Sequence, residues 1–467
     1  MKELIFHINR HDSIPMYQQI YVYIRNKIED GSLPAGEKLP SIRELAVLLN
    51  VSRNTTLLAY EQLQMEGYLY SRAKRGYFVH SQLDLKMLKR PSSFNIRPKK
   101  EEKQTLIDFR GGAVDNSAFP INRWRKLTNE VLNDPFIYVY GDSQGDILLR
   151  NALAAYLLQA RGVQASPEQI VIGSSTQQLL FILSILLKKP HTAIAFEDPG
   201  YNGARSVFQL QSFQTESIPV SQSGIDICSL KNCQSSLVYI TPSHQFPLGV
   251  TMPITKRFEL VQWAEEENGY IIEDDYDSEF QYNGQPIPAL HSLTKSNRVI
   301  YISTFSKAFL PSIRLSYMVL PPALLTQYRK IAYVLEQSAS AIHQRTMYHF
   351  MEKGFWNAHL RKMRSHYKKK MSGLLNIIHT EFGGHVKVIG EGSGIYLLLE
   401  VYTAKSEQAL IHEAYQSGVK VYPCSPYYVK TAPAHPQIQI GFANLSEETI
   451  REGIQLLANI WFNQKCQ

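Results

Sequence analysis

Apolar positions in the first eighty residues recur at helical spacing. In PMYQQIYVYIRNKIEDGSL, Tyr17, Ile20, Ile24 and Ile28 share one face and the run stops at Gly31, which predicts a helix. LPAGEKLPS reads as a turn-rich connector. In SIRELAVLLN, Ser41 stands as an N-cap and Glu44 completes a capping box, with Leu45, Leu48 and Leu49 facing inward. A third helix restarts at Ser52, with Leu57, Tyr60, Leu63 and Met65 as its buried stripe. GYLYSRAKRGYFV then reads as two short strands around Arg72, Lys74, Arg75 and Gly76, a hairpin with a basic tip.

From 81 to 105 no period is sustained. The stretch is charged and carries two prolines, so it reads as a flexible basic linker spanning roughly 25–30 Å. Beyond it the pattern becomes βα-like through QIVIGSST, TAIAFEDPGY, SLVYITPSH, GYIIEDDYD, RVIYISTFSK and RLSYMVLP. Each β-rich run ends in polar or small residues, and helical stretches separate most of them. This spacing predicts a mostly parallel sheet covered by helices on both faces, with ligands bound beyond the carboxyl ends of the strands. The expected division is 1–80, 81–105 and 106–467, the last with a large subdomain at about 136–320 and a small one from its flanking segments.

Composition narrows this picture. A chain of 467 residues exceeds a single core and implies roughly three folding units. The longest apolar run, LLFILSILL, is too short to span a membrane, and the N-terminal stretch lacks the apolar core of a signal peptide. Cys228, Cys233, Cys424 and Cys466 have no zinc spacing, so reduced thiols in the cytoplasm are expected, with no metal site. The formal net charge is +8, with Lys and Arg dominating 38–75 and 86–103. Basic charge gathered at one end suggests a polyanionic partner for that end. Ser52, Arg53, Asn54, Thr55 and Thr56 form the first turn of the third helix, where a recognition helix offers side chains to the major groove. The basic hairpin tip suits phosphates or the minor groove.

Lys307 poses a separate question, because it follows Ser306 within an apolar stretch seven residues before Arg314. A buried lysine is costly unless neutralised or paired. A Schiff base with an aldehyde would remove that cost. Ser306 and Arg314, with Ser175, Thr176 and Gln177 at a helix N-terminus, could hold a phosphate dianion. Asp274 could pair with a protonated pyridine nitrogen, Tyr276 could donate to a phenolate oxygen, and the ring of Tyr201 could stack on the pyridine.

The stretch LPSIRELAVLLNVSRNTTLLAYEQLQMEGYLYSRAKRGYFV resembles the GntR family of winged helix-turn-helix regulators. That likeness implies DNA contacts from Lys38, Arg43, Arg53, Asn54 and Thr56, with Ser41, Ser52, Thr55, Arg72, Lys74, Arg75 and Gly76 completing the candidate surface. TPSHQFPLGVTMP, YIIEDDYDSEF and STFSKAFLPSIRLSYMVLP resemble the fold-type I, class I/II aminotransferases. A chain joining the two looks like a member of the MocR subfamily of transcriptional regulators. The implied fold class is multidomain, a winged helix-turn-helix (α+β) followed by an α/β fold-type I aminotransferase-like domain.

By that resemblance the cofactor is pyridoxal 5'-phosphate (PLP), anchored on Lys307, with Asp274 at the pyridine nitrogen, Tyr276 at the phenolate oxygen, Tyr201 stacked and Arg314 on the phosphate. Thr304 and His244 join the implied cofactor set, and Tyr140 matches a tyrosine lent across a dimer interface. Two departures accompany the likeness. Phe246 stands where the family places a cofactor-contacting asparagine, leaving His244 or Gln245 as substitutes. Between Arg364 and Arg451 there is no arginine to clamp a substrate carboxylate. The expected function is therefore a homodimeric, PLP-dependent regulator of double-stranded DNA at paired half-sites, sensing a small amine, an amino acid or PLP itself. The alternatives are a working aminotransferase carrying a DNA-binding domain and a cofactor-free dimerising scaffold.

Overall fold

The computed structural model describes residues 6–10, 12–80, 106–190, 192–282, 287–294, 296–430 and 432–462. The expected linker at 81–105 and Cys466 lie outside the described residues. The chain divides into two compact units, Met1–Glu102 and Lys103–Gln467.

In the first unit, three helices α1 (Met16–Glu29), α2 (Ile42–Leu48) and α3 (Arg53–Met65) precede a hairpin of β1 (Leu69–Arg72) and β2 (Gly76–Val79). Ile20, Tyr21, Ile24, Leu45, Tyr60, Leu63, Leu69 and Val79 form one core. The capping box at Ser41 and Glu44 is present in both directions. The buried face of α2 runs through Leu45, Ala46 and Leu49. Leu48 therefore turns outward, 53% exposed, against its expected place inside. Met65 is likewise 84% exposed, because it follows Leu63 by two residues and so lies on nearly the opposite side of α3. The hairpin pairs Leu69 with Val79 and Arg72 with Gly76. Lys74 and Gly76 make its turn with φ of 61° and 102°, the left-handed region that glycine enters at little cost. The connector before α2 runs along β2: Leu39 N–H donates to Tyr77 O (2.9 Å) and Val79 N–H to Glu37 O (3.0 Å).

The second unit opens with β3 (Ile107–Asp108), α4 (Ile121–Val131) and α5 (Ile147–Arg161). It continues through β4 (Ile170–Gly173), α6 (Thr176–Leu186), β5 (Ala193–Asp198), α7 (Asn202–Leu210), β6 (Gln214–Ser221), β7 (Gly224–Ile225), α8 (Ile227–Lys231) and β8 (Leu237–Ile240). Next come α9 (Ile254–Glu266), β9 (Tyr270–Asp275), β10 (Val299–Thr304), β11 (Ser316–Val319), α10 (Pro322–Leu335), α11 (Ala341–Glu352) and α12 (Phe355–Phe382). The unit closes with β12 (Val386–Ile389), β13 (Tyr396–Val401), α13 (Glu407–Gln416), β14 (Val419–Lys420), β15 (Tyr422–Pro423), β16 (Gln437–Gly441) and α14 (Glu447–Phe462).

The larger sheet has the order β4-β11-β10-β9-β8-β5-β6-β7. Its centre, from β10 through β6, is parallel, whereas β11 runs antiparallel to both β10 and β4. The 305–315 connection explains the reversal, since a parallel return needs a crossover of about a dozen residues or more, usually helical. It also places Lys307 and Arg314 on one short loop. Apolar clusters cover the two faces, one around Leu179, Leu183, Phe196 and Ile302, the other around Val238, Leu260, Trp263 and Ile271. The smaller sheet, β12-β13-β16-β15, is antiparallel, and β3 pairs with β14. No helix among the described residues is long and apolar enough to cross a membrane, and none of their His, Cys, Asp and Glu groups forms a candidate metal cluster.

The Ser41 cap anchors the helix that leads into α3. Ser41→Ala should cost about 1 kcal/mol, read as faster amide exchange across α2 in the full chain; unchanged exchange there would show that packing alone holds it.

Candidate functional site

A cavity of about 320 Å³ opens beyond the carboxyl ends of the central strands. Each strand end delivers part of its lining. Ser175, Thr176 and Gln177 begin α6 after β4, Tyr201 caps α7 after β5, and Thr241 and Phe246 follow β8. Asp274 lies near the end of β9, followed by Tyr276 and Asp277, while Thr304 ends β10 and leads to Ser306 and Lys307. The smaller sheet and the segment after β3 close the cavity with Ile395, Tyr396, Gln439, Gly111 and Gly112.

Alternation along β9 sorts its acidic run. Glu273 accepts backbone N–H bonds from Leu290 (2.7 Å) and His291 (2.8 Å). Asp275 pairs with Arg161 (2.7 Å) and accepts from Tyr301 Oη (2.5 Å). Between them Asp274 points to the cavity, where its Oδ2 accepts from Tyr239 Oη (2.5 Å). Its Oδ1 is buried without a partner among the described residues. Burial pushes the Asp274 carboxyl up to about 7, against the opposing bond from Tyr239.

Lys307 Nζ donates to Gly112 O (3.3 Å). Protein surrounds the amine on nearly all sides, and that burial lowers its pKa although Asp277 and Asp274 favour the charged form. A side chain at Gly112 would meet Nζ at 2.7 Å and push the amine from this position. Burial thus drives both Lys307 and Asp274 toward neutrality, with neither satisfied by the other.

The anion-binding end is prepared differently. Arg314, held at φ 55°, lines the cavity, and no group among the described residues pairs with its guanidinium. The first turn of α6 presents N–H groups that have no intrahelical acceptor, and Ser175 Oγ takes only that of Gln178 (3.2 Å). Thr304 Oγ1 accepts from Ser306 N–H (3.1 Å) and from Ser316 Oγ (2.8 Å), which fixes the turn carrying Ser306. Helix N–H groups plus a free arginine suit a dianion.

An aromatic wall completes the site. Phe246 meets Tyr201, Tyr276, Tyr396 and Tyr427 edge to face at ring separations of 4.7–6.2 Å. Gln177 Nε2 donates to Tyr201 Oη (2.9 Å), whose pKa burial raises to about 12. One expected cofactor residue stands elsewhere. His244 is absent from the lining; it lies behind Tyr276, its Nδ1 against both oxygens of Asp277 (2.9 and 2.8 Å) and 3.0 Å from Tyr276 Oη. Gln245 spends its amide on Pro199 O, Phe246 O and Leu248 N–H. Neither therefore substitutes at the cavity for the missing asparagine, whose position Phe246 itself occupies. Tyr140, whose expected role is in a partner's site, is 96% exposed and outside the lining of its own chain's cavity. Asp277, Tyr239, Thr241, Tyr396, Tyr427, Gln439 and the 111–112 glycines were not singled out from sequence. Asp277 was the most accessible of these, standing in the same acidic run as Asp274.

In the first unit, Lys38, Ser41, Arg43, Ser52, Arg53, Asn54, Arg72, Lys74 and Arg75 are exposed. Ser52 caps α3 by accepting from Thr55 N–H (3.1 Å), and its Oγ lies 2.7 Å from Thr55 Oγ1. Arg72 rests 5.3 Å above the rings of Tyr70 and Phe78. Thr56 departs from expectation: it is 0% exposed and belongs to the inner face of α3. Its place one turn before Tyr60 on the buried stripe makes a DNA contact from its side chain impossible without unpacking that face.

Burial raises Glu197, Glu273, Asp274 and Glu279 to about 7. Below about pH 4 both folded and unfolded carboxyls are protonated and stability is undiminished; as pH rises through 7 the unfolded chain ionises first and stability falls. The thermal midpoint of the unliganded protein should therefore drop between about pH 4 and pH 7 and level off above that. Asp274→Asn should make that drop smaller; an unchanged slope would show that Asp274 is already ionised in the folded state.

Comparison with known proteins accords with this division. Residues 106–457 match the family "Aminotransferase class I and II", and residues 16–79 match "Bacterial regulatory proteins, gntR family". The chain is 43% identical to the "Uncharacterized HTH-type transcriptional regulator YdeL" of Bacillus subtilis (strain 168), over 97% of this chain and 98% of that one. It is 31% identical to the "Probable rhizopine catabolism regulatory protein MocR" of Rhizobium meliloti, over 96% of this chain and 94% of that one. Among solved structures, the multiple substrate aminotransferase of Thermococcus profundus matches 78% of this chain and 92% of its own, with a TM-score of 0.71 and 25% identity. The chain belongs to the MocR subfamily of GntR-family transcriptional regulators, in which a winged helix-turn-helix is joined to a class I and II aminotransferase domain.

Proposed function

We propose that this regulator holds pyridoxal phosphate through Lys307 and changes its DNA binding when a small amine reaches that site. The observation that carries the reading is the pairing of an unsatisfied buried carboxylate oxygen, Asp274 Oδ1, with a buried amine, Lys307, in one cavity. A protonated pyridine nitrogen would satisfy the first, and a carbon–nitrogen bond to the aldehyde would neutralise the second. Arg314 and the α6 N-terminus would hold the phosphate, Tyr276 would face the phenolate oxygen, and Tyr201 would lie against the ring. When bound, the cofactor supplies an electron sink for an attached amine. Asp274 would keep the ring nitrogen protonated, the aromatic wall would exclude water, and Lys307 would hold or release the proton at Nζ.

The first unit would bind double-stranded DNA, with α3 in the major groove and Arg72, Lys74 and Arg75 on the backbone. A homodimer would place two such units on paired half-sites. Exposed Tyr138, Val139 and Tyr140 lie in one segment that Gln337 ties to the end of α10 beside exposed Tyr333 and Val334 (Gly141 N–H to Gln337 Oε1, 3.0 Å), an apolar face suited to a second copy. Such a regulator acts in the cytoplasm, where its DNA is. An effector must bind two conformations unequally to alter DNA affinity. The alternative, a working aminotransferase carrying a DNA-binding unit, would use the same lysine; fast transamination of an amino acid with an oxo-acid would favour it.

Pyridoxal phosphate added to the full chain should produce a visible absorption band in wild type and none in Lys307→Ala. A band of equal strength in the variant would refute the anchor. Arg53→Ala should weaken operator binding by about 1–3 kcal/mol if the residue reads a base. An equal loss on non-specific DNA would make Arg53 a phosphate contact only.

A further inference from the structure

The part of the cavity lined by the smaller sheet has its own chemistry. Along β16, Ile438 and Ile440 enter the core. Alternation therefore turns Gln437, Gln439 and Gly441 the other way. Gln437 is committed, accepting from Tyr428 Oη (2.7 Å) and donating to Glu400 (3.2 Å). Gln439 is not. It is 6% exposed and lines the cavity, yet its amide bonds to no group among the described residues. An amide that faces the cavity and has no protein partner is available to a bound ligand.

The segment after β3 sets the distance to the reacting amine. A side chain on Gly111 would collide with the Gln439 amide (Oε1 at 2.5 Å), and one on Gly112 with Lys307 Nζ (2.7 Å). Two consecutive glycines thus let Gln439 and Lys307 approach the same short stretch from two sides. A small molecule joined at the position of Lys307 would have its substituent beside Gln439.

Charge decides what that substituent is. Among the described residues lining the cavity, the cations are Lys307 and Arg314, set against Asp274 and Asp277. On the reading above, Arg314 serves a phosphate and Lys307 the cofactor carbon. No lining cation then remains for a ligand carboxylate, which would lie in the cavity without a countercharge. Arg110 is adjacent in sequence, but it lies outside the lining, donating to Tyr422 Oη (3.1 Å) with Asp108 at 3.8 Å.

We infer that Gln439 is the specificity-determining group for the effector, and that the effector is a small primary amine with a neutral hydrogen-bonding head, such as a carboxamide or alcohol, rather than an α-amino acid. The amide offers both donors and an acceptor, which match a carboxamide and leave a carboxylate without a countercharge. This inference rests on the proposed cofactor site.

The test uses the full-length protein loaded with pyridoxal phosphate and titrated separately with L-alaninamide and L-alanine. Binding is followed by calorimetry and by displacement of the visible band. In wild type, L-alaninamide should half-saturate at a concentration about tenfold or more below L-alanine. Gln439→Ala should weaken L-alaninamide by about tenfold, and Gln439→Arg should reverse the preference. Equal binding of the two probes in wild type, or no effect of Gln439→Ala, overturns this inference alone. Should L-alanine bind tightly and Arg110→Ala abolish it, the carboxylate belongs to Arg110 and the inference is likewise overturned. No band before any amine is added overturns the cofactor reading and this inference with it.

Discussion

A buried carboxylate with one oxygen left unpaired is the feature on which the second unit turns. Burial pushes Asp274 toward its neutral form, and a positively charged guest beside the unpaired oxygen would favour the carboxylate instead. The surrounding structure is arranged so that the residue cannot escape. Asp274 sits near the end of the central strand β9, and its neighbours Glu273 and Asp275 are satisfied from the opposite face by backbone N–H groups and by Arg161. Tyr239 from the adjacent strand holds the other oxygen. The sheet thereby confines an unpaired carboxyl oxygen to one place.

The rest of the cavity follows from the same strand ends. Parallel strands β5, β8, β9 and β10 finish at one edge, so residues far apart in the chain arrive together. The short reversal between β10 and β11 puts Lys307 near Asp274 and Arg314 at the anion-binding end. Glycines 111 and 112 bring in the segment that joins this sheet to the smaller one. Charges enclosed by protein on several sides interact more strongly than they would in water.

The first unit works on the opposite principle. Its basic and polar groups stay in water around a small core of Ile20, Ile24, Leu45, Tyr60 and Leu63, and side-chain caps at Ser41 and Ser52 start α2 and α3. Arg53 and Asn54 remain free at the start of α3 because Ser52 satisfies the helix end from within. Thr56 shows the limit of that exposure, since two residues beyond Asn54 the helix has rotated by roughly 200° and faces the core.

Much of this was legible along the chain. Local rules govern helix caps, the basic hairpin and the β-rich runs, because each depends on residues a few positions apart; Ser41 with Glu44 is such a case. The motif around Lys307 was also readable, since its members lie within one short loop. Three matters required the folded chain. The antiparallel placement of β11 depends on how long a crossover must be, while the inward turn of Thr56 and the outward turns of Leu48 and Met65 depend on which face of each helix meets its neighbours. His244 retreats behind Tyr276 and Gln439 reaches the cavity because strand alternation and sheet closure decide which polar side chains face a shared space. Sequence by itself determined the inventory of chemical groups and the local elements that carry them; tertiary structure decided which groups share low-dielectric space, because that proximity is set by contacts between residues hundreds of positions apart.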